Sequence, residues 1–276
     1  MRVTLSIRVL GLLLLCGTPA LAQRSSRDPS AASDEWLERC RDQGRRNDDR
    51  ERYCEVRERR LRSARQLDVD GQQNGSVAVH GWDRSEVLVL ARIQTDGNDL
   101  SEARDVASGI DIQTDGGRIR ADGPSTRRGQ SWSVSYDVWT PRNTDLRITT
   151  HNGGISIEGV EARLELGAVN GGIALQDVAG DVHGETTNGP ITVALDGDRW
   201  RGEGLDLRTT NGPVHLDIPE GYSARLETGT VNGGMRIGFP VTVQGMVGRQ
   251  ISTQLGNGGA TIRAMTTNGP VEIRRR

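Results

Sequence analysis

Thr186-Thr187-Asn188-Gly189-Pro190-Ile191-Thr192-Val193 decides the fold, because its pattern recurs along the chain. Asn-Gly returns at Asn152, Asn170, Asn188, Asn211, Asn232, Asn257 and Asn268, followed each time by Gly or Pro. The intervals are 18, 18, 23, 21, 25 and 11 residues. Three positions after each Asn stand Ile155, Ile173, Ile191, Val214, Met235, Ala260 and Val271. Five positions after stand Ile157, Leu175, Val193, Leu216, Ile237, Ile262 and Ile273. The residue between is mostly polar or small, as in Ser156, Ala174, Thr192 and His215. Six positions before stand Leu146, Leu164, Val182, Leu205, Leu226, Ile251 and Ile262. Each unit therefore reads as strand, Asn-Gly turn, strand, with one apolar face that a single unit cannot bury alone.

Two mainly β architectures satisfy this pattern. In a β-solenoid, like stacks on like, and Thr150, Thr186, Thr209, Thr230 and Thr266 form a column up one edge. In an antiparallel β-meander, each Asn-Gly closes a tight hairpin through residues that tolerate positive φ. The repeated identities favour the solenoid. The last interval is its weakest part, because Ile262 serves two columns.

Outward from the repeats at 146–276, residues 67–145 read as an irregular β region. Val77-Ala78-Val79-His80, Val87 to Ala91, Ile110 to Gln113, Arg118 to Arg120 and Ser131 to Tyr136 alternate with period two. Asp99 to Ser108 reads as a short helix capped by Asp99, with Glu102 three residues on. Residues 34–66 are dense in charge, and Asp34 to Arg65 holds nine acids and eleven Arg. Trp36, Leu37, Cys40, Tyr53, Val56 and Leu61 make a thin stripe at helical spacing, so this segment reads as a charged helical hairpin. Residues 23–33 are polar and read as a disordered leader.

Residues 1–22 carry a secretory signal: basic Arg2, apolar Val9 to Leu15, and Ala20-Leu21-Ala22 for cleavage. Loss of Arg2 and Arg8 takes the net charge from −2 to −4. Cys16 follows Leu15 rather than a small residue, which argues against lipidation. No run in the mature chain reaches the ~20 apolar residues of a membrane span. Cys40 and Cys54 then form the exported pair, and such a pair reads as a disulfide. One straight helix would hold them ~21 Å apart, against a limit of about 7 Å between Cα atoms. Either the chain turns back between Gly44 and Asp49, which the disulfide-clasped hairpin requires and which is the favoured reading, or the two thiols stay free.

Composition narrows the chemistry. Only 34% of residues are hydrophobic, and 36 Gly bring the small-plus-apolar share towards the usual ~45–50%. All basic residues are Arg, which excludes a Walker-type loop, a Schiff-base Lys and a Ser–Lys dyad. Near-neutral charge argues against a nucleic-acid partner. His80, His151, His183 and His215 fall in different columns, so stacking does not assemble a zinc set. Asp111, Asp115, Asp181 and Glu185 are the acids a polysaccharide hydrolase or lyase could use, and they form no cluster in sequence. Trp82, Trp132, Trp139 and Trp200 read as core or edge caps rather than a glycan platform. No catalytic set, metal site or cofactor is expected.

Val79-His80-Gly81-Trp82-Asp83, the strand end Trp139-Thr140-Pro141 and the Thr-x-Asn-Gly-Gly/Pro-Ile/Val units resemble the bacterial putative-adhesin β-strand-repeat family, a domain of unknown function. The resemblance spans roughly residues 67–276. It implies a β-repeat fold and, by analogy, adhesion, and it brings no catalytic residues. The expectation is an exported, noncatalytic, adhesin-like protein presenting a rigid surface to an envelope protein or glycan. The alternatives are a polysaccharide-active enzyme and a self-associating envelope scaffold.

Overall fold

The computed structural model describes residues 28–44, 50–240 and 249–276. The expected signal segment and the expected turn at 45–49 lie outside them. The N-terminal part comprises α1 (Pro29–Gly44), β1 (Glu51–Arg62), β2 (Gln66–Asp70), β3 (Val77–Trp82), β4 (Glu86–Gly97), α2 (Leu100–Ser108), β5 (Asp111–Gln113), β6 (Arg118–Asp122) and β7 (Ser131–Pro141). The repeats follow as β8 (Asp145–Thr150), β9 (Ile155–Glu158), β10 (Glu161–Ala168), β11 (Ile173–Gln176), β12 (Ala179–Asn188), β13 (Ile191–Ala194), β14 (Gly204–Asn211) and β15 (Val214–Ile218). The chain ends with β16 (Ala224–Asn232), β17 (Met235–Ile237), β18 (Gln250–Leu255), β19 (Thr261–Asn268) and β20 (Val271–Arg275).

Each repeat is one coil of a β-solenoid, with its first strand in one sheet and its second in the facing sheet. Sheet A runs β1-β4-β7-β3-β9-β11-β13-β15-β20-β17. Sheet B runs β18-β16-β19-β14-β12-β10-β8-β2-β6-β5. Coil-to-coil pairing is parallel, so the antiparallel meander is excluded: every repeat Asn-Gly turn but that at Asn257 joins the two sheets rather than two neighbouring strands. The columns become rows. Ile155, Ile173, Ile191, Val214 and Val271 align across sheet A. Leu146, Leu164, Val182, Leu205, Ile262 and Leu226 align across sheet B. These rows are at most 2% exposed and fill the space between the sheets. Burying each aliphatic side chain stabilises the fold by about 1.5–3 kcal/mol before entropic costs.

The turn glycines have a different cause from the one expected. Gly258 apart, neither the Asn nor the Gly of these turns has positive φ. A Cβ on Gly171 would meet the Gly153 carbonyl oxygen at 2.1 Å, one on Gly189 that of Gly171 at 2.3 Å, and one on Gly212 that of Gly189 at 2.0 Å. Glycine is required there because consecutive coils touch backbone to backbone. Asn257 does not belong to this series. It lies in a reversal where Gly256, Gly258 and Gly259 take positive φ, and β18 before it runs antiparallel to β16. Ile262 serves a single row, paired with Leu205 and Leu226.

Two N-terminal expectations are corrected. The leader is helical from Pro29, because Asp28 accepts the Ser30 N–H at 3.0 Å and hydroxyl at 2.8 Å ahead of a proline in the first turn. The second arm of the charged hairpin is strand β1, paired antiparallel with β4 over its whole length. An edge beside β4 needs a strand, and tertiary pairing overrides the local i,i+4 charge pattern. The charges then blunt that edge. Helix α2 begins as expected, with the Asp99 carboxylate accepting from the Glu102 N–H at 2.8 Å.

Candidate functional site

Stacking in register builds a polar spine at the Asn-Gly corner. Asn170 donates its side-chain amide to Asn152 at 2.9 Å, Asn188 to Asn170 at 2.8 Å and Asn211 to Asn188 at 2.8 Å. Asn268 donates to Asn211 at 2.8 Å, and Asn232 to Asn268 at 2.9 Å. Asn152 extends the spine to Asn74 at 3.0 Å, so β2–β3 is a first coil. Asn74-Gly75 was visible in sequence but is followed by Ser76 rather than Gly or Pro. Behind the spine the threonines are buried. Thr186, Thr209, Thr266 and Thr230 donate their hydroxyls to the carbonyls of Gly171, Gly189, Gly212 and Gly269 at 2.6 to 2.9 Å. The amides are thus consumed in holding coils together.

The two outer faces differ. On sheet B, Arg147, Glu165, His183, Asp206, Arg263 and Glu227 stand in one row. Arg263 reaches Asp206 at 3.2 Å and Glu227 at 2.6 Å, and Arg147 reaches Glu165 at 3.8 Å. The carboxylates around Arg263 raise its pKa. On sheet A the corresponding row begins Ala78, Ser156, Ala174, Thr192. These small side chains floor a groove of about 660 Å3 whose wall is α1, through Ala31, Ala32, Glu35 and Arg39.

Alternation along β4 explains how α1 is placed. Val87, Val89, Ala91 and Ile93 face the main core. Leu88 and Leu90 face outward and meet Trp82 and Trp139, with Ala32 of α1 and Val56 of β1 packed against them. The Cys40–Cys54 disulfide forms, with Cα atoms 6.3 Å apart, and fastens the helix to β1. At the groove's base Arg92 pairs with Asp137, and its Nη2 donates to the Ala32 carbonyl at 3.4 Å. Burial lowers the Arg92 pKa, and the Asp137 charge opposes that shift. His80 stacks on Trp139 with ring centroids 4.9 Å apart, and its Nδ1 lies 3.7 Å from Glu158.

The remaining expected residues do not converge. His183 lies beside Asp181 at 2.8 Å on sheet B, His215 lies 3.5 Å from Glu272 on sheet A, and His151 is exposed at the corner. Asp181 and Glu185 share β12, while Asp111 is on β5, five strands away in the sheet order. No group of three or more His, Cys, Asp or Glu that could hold a metal occurs among the described residues. Trp82, Trp139 and Trp200 are buried, and Trp132 is half-buried with its indole N–H on the Pro124 carbonyl at 3.0 Å. The groove under α1 was not legible in sequence, since nothing local shows that the helix crosses sheet A.

Solved structures similar to the chain include a putative cell adhesion protein from Clostridium sporogenes, 10% identical, covering 80% of this chain and 100% of that one, with a TM-score of 0.44. A putative adhesin from Bacteroides fragilis is 9% identical, covering 80% and 97%, with a TM-score of 0.38. A putative lipid binding protein from Parabacteroides distasonis is 9% identical, covering 79% and 96%, with a TM-score of 0.32. The sequence has no significant match among curated proteins. The model of the Toastrack DUF4097 family matches residues 67–274, from β2 to β20, leaving α1 and β1 outside it. With its stacked Asn-Gly coils and two facing sheets, the chain belongs to the Toastrack DUF4097 family.

Proposed function

We propose that the chain is exported and works without catalysis, presenting the outer face of sheet A as a rigid adhesin-like surface for a protein or glycan of the cell envelope. The observation that supports this most is the contrast between the two outer faces. On sheet B the Arg and acidic side chains are engaged with one another, as expected of a solvated face. On sheet A the floor of Ala78, Ser156, Ala174 and Thr192 is recessed beneath a helix held by a disulfide. A surface fixed by parallel ladders loses little freedom when a partner binds. The disulfide favours an oxidising compartment, in keeping with the signal segment.

The test measures retention of envelope fractions on the immobilised protein. Ala174→Arg and Thr192→Arg fill the floor, and Glu165→Arg alters the opposite face. Loss of retention in the first two and not in the third is expected. Equal retention by all would count against the groove. Recovery of the mature chain from the cytoplasm would count against export.

A further inference from the structure

The Asn-Gly coils follow chain order except at one place. After β15, residues 219–223 step over one position, and β16–β17 is laid down beyond it. The C-terminal segment then fills the slot. β19 pairs with β14 on one side and β16 on the other, and β20 lies between β15 and β17. The segment is delivered by the glycine reversal at 256–260, where Gly256, Gly258 and Gly259 have φ of 50°, 74° and 133°. Its end is clasped by arginines. Arg276 donates to the Leu195 carbonyl at 2.7 Å, and Arg275 lies 3.6 Å from Glu220 and over the Phe239 ring at 4.7 Å.

We propose that residues 261–276 exchange between copies: the partner that fits this slot is the same segment of a second chain, and the product is a reciprocal dimer. Two features carry the inference. The slot recognises a coil by features every coil shares: Asn268 bridges Asn211 and Asn232, Thr266 donates to Gly212, and Thr230 donates to Gly269. Those contacts are identical whether the segment comes from its own chain or another. An emptied slot also leaves β14, β16, β15 and β17 each short of one ladder, and unpaired strand edges seek a strand. Exchange of an identical element creates a dimer at little cost because it needs no new interface. The linked segment keeps the advantage of effective concentration, so the dimer grows with protein concentration. The arginine clasps are exposed pairs, which salt screens, so exchange quickens with ionic strength.

The test uses two full-length variants, Arg208→Cys and Met265→Cys, which are register partners on β14 and β19. They are refolded together at a series of concentrations, oxidised and run on a non-reducing gel. A covalent dimer in the mixture, absent from either variant alone, is expected. Adding Arg275→Ala and Arg276→Ala to the Met265→Cys chain should raise its yield several-fold. The double variant R208C/M265C reports whether the pair is within reach inside one chain. If it closes while the mixture stays monomeric at every concentration, the proposal is overturned. Equal dimer from either variant alone indicates random collision and also overturns it.

Discussion

Asn232 donates its side-chain amide to Asn268, 36 residues downstream, at 2.9 Å, rather than to Asn211, the preceding repeat asparagine. That one bond reports the order of the coils. It also shows what the asparagines do: each one inside the spine, from Asn152 to Asn268, bridges the coil before and the coil after it in space.

The first prediction concerns this spine. Asn188 both donates to Asn170 and accepts from Asn211. Asn188→Ala should lower stability by about 1–2 kcal/mol, the net worth of two hydrogen bonds. Asn257→Ala, outside the spine, should change it by less than ~0.5 kcal/mol. Urea denaturation midpoints of the two variants provide the comparison.

The glycine column gives a larger effect. A Cβ on Gly189 falls 2.3 Å from the Gly171 carbonyl oxygen and 2.4 Å from its carbon, and backbone cannot move aside there without opening the stack. Gly189→Ala should cost about 3 kcal/mol or more, in the range of severe overpacking. Gly221→Ala, where a Cβ meets nothing within 4 Å but φ is 75°, should cost only the smaller penalty of a strained backbone. Thermal unfolding of both variants separates collision from strain.

The helix over sheet A should come loose selectively. Apart from the disulfide, α1 rests on Ala32, the Arg92 contact and the edge of the Trp82, Leu88, Leu90, Trp139 cluster. Cys54→Ala should raise hydrogen exchange in α1 and β1 and leave β9 to β15 protected. Uniform loss of protection would mean that the N-terminal segment supports the whole stack.

Alkaline pH should weaken the fold through tyrosine. Burial pushes the Tyr222 hydroxyl up to about 12 and raises Tyr136 as well. The folded state therefore holds the neutral phenol. Its contribution is intact below the unfolded value of about 10 and is lost as pH climbs towards the folded one. Tyr222→Phe should flatten the fall in urea midpoint between about pH 10 and 12. An unchanged slope would show that Tyr222 ionises freely.

Much of the fold was legible because the same columns recur with hydrophobic period two. Leu205, Val214 and Leu216 announce their rows without any long-range information. The order of the coils was not legible for the same reason: identical columns fit any order, so the place of Asn268 is decided by loop lengths and the glycine reversal. Strand β1 was misread because Tyr53, Val56 and Leu61 fall at helical spacing, while the partner that makes them a strand, β4, lies 26 residues or more away. The groove depends on α1 crossing a distant sheet. The Arg92–Asp137 pair at its base joins strands that are separated by α2, β5 and β6.

Coil order is the claim on which the rest stands, and disulfide trapping within single chains tests it. Asp206 is the register partner of Arg263, and Arg263 is the partner of Glu227. One strand spacing is about 4.8 Å, within the ~7 Å reach of a disulfide, while two spacings exceed it. D206C/R263C should close into an intramolecular disulfide on mild oxidation, and D206C/E227C should remain a dithiol. The reverse outcome would place β16 directly against β14 and contradict the inserted C-terminal coil.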